Sequence, residues 1–419
     1  MVAMIGALMS PRTLAISFWL VALGFAASAL LRRHELDMSQ FRPGPVVLLL
    51  AVLVGYIFLG MMWADVPAVP LEKGVLVGGT VAALWMMTAL IRQETRPNII
   101  HMAEGVFFGL LIGALFLLVE QLTGRIIKVT ALNMLGFQPG DLTPVHYYVW
   151  KDGILDSIMA DDMTRNMTGV GVYLWPPVAA IMAVWRRPNN VVFALVLFAV
   201  AAVTLLLSNH ASSQIALVAG IGVFALASKS VRWARRCVMT GWLIACFAVI
   251  PLAFAAYKAN LQQVDALGSS IQSRLIIWKF TAEKTLENPW LGVGANMTRI
   301  LGPELEKNAV TVGNDRWPHS LSLHAHNLYL QTWFELGAVG AVLLAAIGLA
   351  ILGAIANLDL RAQRYALAAF SSSAAVVASS YGMWQVWLIG TLAIAALAMC
   401  IGVRALETSS PAHAEVNRA

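Results

Sequence analysis

The sequence contains little charge for its length. Asp, Glu, Lys and Arg make up 12% of its 419 residues, whereas soluble domains have roughly 25%. Hydrophobic residues account for 59%, and the mean hydropathy is +0.74. These values exclude an ordinary soluble globular domain and indicate a protein made mostly of membrane-spanning helices.

Cysteine and the usual metal-ligand motifs are also scarce. The three cysteines, Cys237, Cys246 and Cys400, lie at a basic flank or within apolar segments, so we predict no disulfide. The sequence has no His-Glu-x-x-His motif, no cysteine pair and no spaced carboxylate cluster. It therefore predicts no metal site and no other cofactor.

Charged side chains are sparse inside the apolar segments. Glu104 and Glu120 lie within one such segment, each near an end. Ion and proton pathways are usually marked by buried charges, and secondary transporters by broken helices in matching halves. Because we find neither pattern, the sequence disfavours a secondary transporter.

Apolar runs of about 17 to 25 residues predict the fold. Eleven such runs lie near residues 13–31, 44–63, 74–91, 102–122, 168–185, 191–208, 212–227, 238–256, 330–356, 363–380 and 385–404. We therefore predict an all-α polytopic integral membrane protein with 11–12 transmembrane helices. Eleven spans would put the barely charged N-terminus outside, so we expect one missed or split helix near the start.

Basic residues predict the orientation of these helices. They cluster in alternate connectors, at Arg32, Arg33 and Arg42, then Arg92 and Arg96, Arg186 and Arg187, Lys229, Arg232, Arg235 and Arg236, and finally Arg361 and Arg364. The positive-inside rule makes these connectors cytoplasmic. We predict one transmembrane domain over 1–404, with large periplasmic loops at 123–167 and 257–329, and a short polar cytoplasmic tail at 405–419. The basic connectors account for the net charge of +6 without a nucleic-acid partner.

The second large loop contains an amphipathic segment. From Ser269 to Glu287 the sequence predicts a helix with Leu275 and Trp278 on its apolar face, and Arg274 borders that face. An arginine in this position can form a bidentate pair with a phosphate or diphosphate, or it can reach lipid head groups at the interface. The residues alone leave both interpretations open.

The same loop ends in a histidine-bearing segment. His324, His326 and Asn327 directly precede the apolar run near 330. A histidine at the water–membrane boundary titrates near neutral pH and can accept a proton from a hydroxyl, although a lone histidine there is more often structural. His326 is therefore a candidate general base.

Three motifs resemble one known superfamily, which contains O-antigen ligases, O-antigen polymerases and protein O-oligosaccharyltransferases. The motifs are His326-Asn327 followed after nine residues by Gly337-Ala338-Val339-Gly340, Ser273-Arg274 followed by Trp278 and Asn-Pro-Trp-Leu-Gly-Val-Gly at 288–294, and Arg165-Asn166 before Trp175-Pro176. Within this superfamily, the sequence resembles the O-antigen ligases.

One position departs from the family pattern. Such proteins often have Ser-Arg-Gly at the start of the span near 212, whereas this chain reads Ser-Asn-His-Ala-Ser-Ser from Ser208 to Ser213. The arginine is missing there. Either His210 replaces it as a weaker cation, or Arg165 supplies the charge.

The resemblance implies a metal-independent glycosyltransferase of the bacterial inner membrane, with its active site facing the periplasm. It would transfer polysaccharide from undecaprenyl diphosphate to a sugar hydroxyl of the lipid A-core, with inversion, in lipopolysaccharide biosynthesis. His326 would be the general base and Arg274 would stabilise the leaving diphosphate. Arg165, His210, His324 and Asn327 would contact the substrates, and membrane lipids would surround the protein.

Other activities remain open. An O-antigen polymerase would use a second lipid-linked glycan as acceptor, and a protein O-oligosaccharyltransferase would use a serine hydroxyl. Outside enzymes, a lipid-linked glycan transporter would also bind diphosphate through arginines, but it would not need a positioned histidine base.

Overall fold

The computed structural model describes residues 1–10, 13–142, 144–185, 188–306 and 322–409. Over these ranges the chain forms sixteen α-helices and one hairpin. The helices are α1 Val2–Met9, α2 Leu14–Leu31, α3 Pro45–Leu59, α4 Ala68–Arg92, α5 Arg96–Leu122, α6 Ile126–Met134, α7 Thr164–Tyr173, α8 Trp175–Val184, α9 Asn189–Leu206, α10 Ala211–Lys229, α11 Val231–Lys258, α12 Ser269–Thr285, α13 Thr298–Glu306, α14 Leu328–Ala356, α15 Leu360–Ser379 and α16 Val386–Thr408. The hairpin consists of β1 Tyr148–Lys151 and β2 Ile154–Ile158.

The predicted all-α polytopic membrane fold is confirmed. Within the described residues, eight helices are long and apolar enough to cross a membrane, namely α3, α4, α5, α9, α10, α11, α14 and α16. Helices α7 and α8, bent by 41° at their junction, add a ninth candidate. Every predicted apolar run is helical. However, α2 is a shorter apolar helix and α15 is not among these spans, so the count by this criterion is below the predicted 11–12.

A short additional helix, α1, lies near the start of the chain, but it is too short to be the further span that we expected there. It is only eight residues long, and its Met4, Ala7 and Leu8 are buried. It packs on α5, where Gly109 and Gly113 leave no room for a Cβ atom beside Met4 and Leu8. A search for runs of 17 to 25 residues misses so short a helix.

Contacts group the connectors between helices. Arg32, after α2, pairs with Glu94, after α4. Separately, the connector between α15 and α16 meets the start of α7, the turn before α10 and the segment before α14, because Tyr381 contacts Thr164 and His210 and the Ser380 carbonyl accepts from His326. We call this second region the loop end. Arg186 and Arg187, residues 307–321 of the second predicted loop and residues 410–419 of the predicted tail lie outside the described residues.

The first long segment contains structure that the sequence analysis missed. Its two strands pair antiparallel across Asp152-Gly153, both with positive φ. Asp-Gly is a strong signal for such a two-residue turn. The Asn133 side chain on α6 donates to the Leu155 carbonyl at 2.8 Å and accepts from its N–H at 2.9 Å. Helix α6 and the hairpin therefore form one small layer at the loop end.

The second long segment packs into a break in α14. Gly337 has φ 63° and ψ −162°, so the helix is interrupted there. The loop at 289–294 fills the gap: Gly294 N–H donates to the Glu335 carbonyl, and Ala338 N–H donates to the Pro289 carbonyl, both at 2.8 Å. Gly292 and Gly337 approach so closely that a Cβ on either would collide with the opposite backbone. Two of the sequence motifs therefore pack directly against each other.

Candidate active site

The site is built around the short segment before α14. His326 lies in the left-handed region, with φ 51°, a strained backbone for a residue other than glycine. Residues on both sides hold it there. The Trp278 indole on α12 donates to the Ala325 carbonyl at 2.9 Å, and the Asn327 Oδ1 accepts from Leu330 N–H at 3.1 Å, which caps α14.

One hydrogen bond fixes the tautomer of His326. Its Nδ1 lies 2.6 Å from the Ser380 carbonyl oxygen, at the end of α15. A carbonyl oxygen can only accept, so Nδ1 carries the proton and donates. In the neutral ring, the Nε2 lone pair is therefore free to accept a proton from another group.

The environment keeps this imidazole neutral. Burial, with a smaller contribution from the nearby Arg274 cation, lowers the pKa of His326 from its ordinary value of 6.5 to about 4, against the opposing effect of the Ser380 hydrogen bond. The sign follows from desolvation, which disfavours the charged form of a base. At neutral pH the side chain therefore presents the unprotonated nitrogen that general-base catalysis requires.

Arg274 lies among three histidines. Its charge helps to lower the pKa of His210, His324 and His326. It is half-buried, and among the described residues no hydrogen bond or ion pair engages its guanidinium. A desolvated guanidinium without a carboxylate partner favours an anionic ligand.

Arg165 reaches the same cluster from the first turn of α7. Its guanidinium carbon lies 5.8 Å from the Trp387 ring centroid, in a cation–π contact. Trp387 meets the Tyr381 ring edge to face at 4.7 Å. The Tyr381 hydroxyl in turn donates to Thr164 Oγ1 at 2.7 Å. These contacts fix α7 against the start of α16.

His210 lies on the other side of Tyr381, with the ring centroids 5.9 Å apart and nearly parallel. Its Nδ1 lies 2.6 Å from Ser213 Oγ and its Nε2 lies 3.4 Å from Ser380 Oγ. Burial, and then the Arg274 charge, lowers the pKa of His210 to about 4. The side chain is therefore neutral at neutral pH, and a bound anion would have to raise its pKa before it could replace the missing arginine as a cation.

His324 packs directly against the candidate base. The two rings lie 4.0 Å apart in a T-shaped arrangement. Gly382 leaves room for His324, because a Cβ at position 382 would lie 2.8 Å from the His324 Cβ. Burial lowers the pKa of His324 to about 3, with His326 as the next cause. Its buried Nδ1 has no hydrogen-bond partner among the described residues.

The six residues predicted from the sequence all lie at the loop end. His210, Arg274, His324 and His326 form one electrostatically coupled group, and Arg165 joins it through the aromatic contacts. Asn327 uses its side-chain oxygen for the helix cap. The sequence analysis missed Ser380, Tyr381 and Trp387. Their signal is the polar and aromatic run Ser-Tyr-Gly-Met-Trp-Gln-Val-Trp between two apolar segments.

A polar network next to this cluster fastens the loop to α14. Glu335 is completely buried. It accepts hydrogen bonds from Asn296 N–H at 2.8 Å, Thr298 N–H at 3.2 Å and Gln331 Nε2 at 3.1 Å. The Thr298 hydroxyl and the Trp384 indole also donate to it. The carboxylate thus has donors from three segments of the chain, and it supports the site rather than facing a substrate.

Metal ligands do not gather in the part of the chain that the structure describes. No three His, Cys, Asp or Glu side chains there are arranged to hold an ion. Independence from metal and other cofactors stays a prediction that requires a solution measurement.

Known proteins match the region that contains this cluster. A family model described as O-antigen ligase matches residues 193–345, which include Arg274 and His326. A Rickettsia conorii protein named "Putative polysaccharide ligase" is 32% identical over 123 residues, or 29% of each chain. A Rickettsia bellii protein of the same name is 33% identical over 125 residues, 29% of this chain and 30% of the relative.

These matches leave most of both chains unaligned. They span less than one third of the relatives' own length. Even so, the matched region and the motifs agree, because His326, Arg274 and the glycine pair at 337 and 340 all fall within it. The predicted resemblance of this chain to the O-antigen ligase superfamily is therefore confirmed.

Proposed function

We propose that this chain is a membrane-embedded glycosyltransferase of the bacterial inner membrane, with its active site on the periplasmic side. It transfers polysaccharide from undecaprenyl diphosphate to a sugar hydroxyl of the lipid A-core, without a metal ion. The observation that carries this proposal is the hydrogen bond from His326 Nδ1 to the Ser380 carbonyl, which leaves the Nε2 lone pair available near Arg274, whose guanidinium has no partner among the residues that the structure describes.

In the proposed reaction, the acceptor hydroxyl loses its proton to His326 Nε2. The acceptor oxygen then attacks the anomeric carbon of the donor from the face opposite the diphosphate. The bond between that carbon and the diphosphate oxygen breaks, and undecaprenyl diphosphate leaves with the electron pair. Inversion at the anomeric carbon follows from this single displacement. General-base assistance of this kind contributes typically about 10² to 10⁴ in rate.

The charges of the site match the charges that develop during this step. Negative charge grows on the diphosphate, and Arg274 with Arg165 stabilises it through preorganised contacts. His326 becomes an imidazolium as it accepts the proton, and the bound diphosphate compensates the unfavourable environment that lowers its pKa in the free protein. We assign substrate contacts to His210, His324 and Asn327 as well.

The test is transfer by the purified protein in nanodiscs, with an undecaprenyl-diphosphate-linked glycan as donor. Each reaction contains lipid A-core, a second lipid-linked glycan or a serine-containing polypeptide as acceptor. We expect product only with lipid A-core, at the same rate with and without chelator, and with the inverted anomeric configuration by NMR.

The other acceptors separate the alternatives. A product that joins two donor glycans would identify a polymerase, and glycosylated polypeptide would identify a protein O-oligosaccharyltransferase. Donor binding without transfer to any of the three acceptors would contradict the enzyme proposal and favour a lipid-linked glycan transporter. Rate loss in chelator that Mg²⁺ or Mn²⁺ restores would contradict the metal-independent mechanism.

A further inference from the structure

Four basic side chains lie together at the turn between α10 and α11, and the proposed reaction does not use them. Helix α10 ends at Lys229 and α11 begins at Val231, so a single residue joins the two helices. Both helices are long and apolar enough to cross a membrane, so their connector lies at a membrane surface. The four basic residues are Lys229, Arg232, Arg235 and Arg236.

This turn lies far from the candidate active site. Ala234 on α11 belongs to the same apolar cluster as Leu352 and Ile355, which lie near the end of α14. His326, by contrast, precedes the start of α14, which is 29 residues long. At 1.5 Å per residue, roughly 40 Å of chain separates the two regions along this helix. The basic turn is therefore separate from the proposed reaction.

The cations of the turn have no carboxylate partners. The sequence contains no Asp or Glu between Asp162 and Asp265, and within the described ranges none of the four takes part in an ion pair. Arg232 and Arg236 are both exposed and lie four residues apart on α11, a spacing at which like charges destabilise a helix. A bound anion would therefore stabilise this turn.

An exposed tryptophan accompanies the cations. Trp233 is 58% exposed, and the guanidinium carbon of Arg236 lies 5.2 Å from its ring centroid, in a cation–π contact. Tryptophan is enriched at the membrane–water interface, where its ring lies at the level of the head groups. The ring contact does not neutralise the guanidinium, which can still donate two parallel hydrogen bonds to a phosphate.

An exposed stripe continues from the turn along α11. At spacings of three or four residues, one face of this helix presents Trp233, Arg236, Thr240, Ile244 and Phe247. Ile244 is 52% exposed and Phe247 is 45% exposed. From Arg236 to Phe247 the helix rises roughly 16 Å, about half of the roughly 30 Å hydrocarbon core of a bilayer. The face therefore has a cationic end and an apolar path as long as one leaflet.

We propose that the turn between α10 and α11 binds an anionic phospholipid, with its phosphate at Arg232 and Arg236 and an acyl chain along Ile244 and Phe247. The unpaired cations favour a head group with net negative charge, such as phosphatidylglycerol, over the zwitterionic phosphatidylcholine. The apolar stripe favours a lipid over a soluble polyanion, because one lipid molecule contacts both the cations and the stripe. The proposal does not depend on the glycosyltransferase function.

The test measures which lipid lies next to Trp233. The protein has 14 tryptophans, so the emission of this one is isolated as the difference between wild type and Trp233→Phe, which keeps an aromatic ring beside Arg236. Both proteins are placed in nanodiscs with equal amounts of phosphatidylglycerol and phosphatidylcholine, and the chains of one lipid or the other carry bromine. Because bromine quenches a nearby tryptophan, the ratio of the two quenching values gives the local preference between the lipids.

Arg232→Gln, Arg236→Gln and the double variant remove charge from the turn, each prepared with and without Trp233→Phe. The matched control is Arg42→Gln, which removes an exposed arginine of the connector after α2, near the Asp37 carboxylate. We expect brominated phosphatidylglycerol to quench Trp233 more strongly than brominated phosphatidylcholine does. Each single variant should lower this preference by about fivefold, the usual effect of one cation at an anionic lipid surface, and the control should leave it unchanged.

Two results would overturn the proposal. Equal quenching of wild type by the two brominated lipids would show that the turn does not select an anionic lipid and would leave its cations to water or to a soluble anion. An equal loss of preference in Arg42→Gln would assign the effect to the net charge of the protein instead of to this turn.

The salt dependence of wild type replaces the double variant if that variant does not insert into the membrane. The preference for phosphatidylglycerol should fall as the ionic strength rises, because salt screens exposed charges. A preference that does not change with salt would contradict an electrostatic head-group site.

Discussion

Two polar clusters near the start of α14 differ in how completely their hydrogen bonds are satisfied. Glu335 receives donors from Asn296, Thr298, Gln331 and Trp384. In the cluster around His326, by contrast, His324 Nδ1 and the Arg274 guanidinium lack hydrogen-bond partners among the described residues. A buried network in which all hydrogen bonds are made rigidifies a protein, whereas buried polar groups without partners are available to bind a ligand. The first cluster is therefore scaffold, and the second is the one that we propose for substrate binding.

The Glu335 network explains why the motif at 288–294 and the motif that begins at His326 occur together. Glu335 holds the start of α13 and the loop at 289–294 against the break in α14. The same helix begins directly after His326, and Trp278 ties that segment to the helix that carries Arg274. Displacement of the loop at 289–294, which follows α12, would therefore move the Arg274 guanidinium relative to His326.

The largest effect should come from His326→Ala. We expect transfer to fall by about 10² to 10⁴, the usual contribution of a general base, while the melting temperature stays within a few degrees of wild type. His146→Ala, on the exposed part of the first long segment, is the matched control. Transfer rates in nanodiscs and thermal unfolding check both parts, and normal transfer by His326→Ala would remove the base assignment.

Glu335→Gln should affect stability first. An amide places N–H donors where the carboxylate accepts from other donors, so at least one buried pair faces donor to donor. We expect a loss of about 3 kcal/mol in the free energy of unfolding, in the range for breaking a buried hydrogen-bonded network.

The control for this variant is Glu104→Gln, whose carboxylate is partly exposed and accepts from the Trp185 indole at 3.2 Å. Thermal unfolding in detergent is the measurement. A Glu335→Gln protein as stable as wild type, but inactive, would move Glu335 from the scaffold to the catalytic machinery.

Arg274 should separate donor binding from proton transfer. Arg274→Ala should weaken binding of undecaprenyl-diphosphate glycan by about 10- to 100-fold, as expected for a lost charge-assisted bidentate pair. Arg274→Lys should recover only part of this loss, because an ammonium cannot form two parallel hydrogen bonds. His326→Ala should leave donor affinity nearly unchanged.

Lys284→Ala is the matched control on the same helix, since Lys284 already pairs with Glu287 at 2.7 Å. Donor affinity in nanodiscs and transfer rate are measured together. If Arg274→Ala binds and transfers like wild type, Arg274 is an interfacial anchor, which is the alternative that the sequence left open.

The sequence predicted the long helices because each rests on a local signal. Apolar runs determine where helices cross a membrane, and the periodicity from Ser269 to Glu287 predicted the helix that carries Arg274, α12. The roles of the site residues stay predictions. Contacts between residues far apart in the chain could not be predicted from the sequence. Nothing in the spacing of Ser380 shows that its carbonyl accepts from His326, 54 residues away.

The glycine motifs illustrate the same limit. Gly292 and Gly337 were recognised through a family resemblance, but their physical reason appears only when the two backbones meet. The hairpin was missed for a different reason, since its Asp-Gly turn lies in a segment read only as a loop between spans. Short elements outside the membrane carry weaker periodicity than the spans do.

The pH dependence should reflect the burial of His326. Because its pKa is lowered from 6.5 to about 4, Nε2 stays unprotonated through the weakly acidic range. We expect kcat/KM to be level from pH 7.5 down to about pH 5 and to fall below that. Stability should decline earlier, from about pH 6.5 downward, because the unfolded imidazole takes up a proton that the folded one excludes.

These two profiles are measured as transfer rates at low donor concentration and as melting temperatures over the same pH series. Only points at which the protein remains folded are compared. An acid limb of kcat/KM near pH 6.5, without loss of structure, would show that His326 titrates as an exposed histidine and that its environment differs from the one described.

The smallest effect should come from Asn327, which has both a structural role and a proposed substrate contact. Its Oδ1 caps α14 by accepting from Leu330 N–H, and its amide N–H groups are the part that we assign to substrate. Asn327→Ala should cost about 1 kcal/mol in stability, the usual value of a lost cap, and should also raise the Michaelis constant. Asn327→Ser keeps a capping oxygen but has no amide, so it should restore the melting temperature while the Michaelis constant stays about two- to fivefold high, as for one weak hydrogen bond. Melting curves and initial rates for both variants separate the two roles. A serine variant that matches wild type in both measurements would assign Asn327 to the scaffold alone and would leave the substrate contacts to the histidines and arginines.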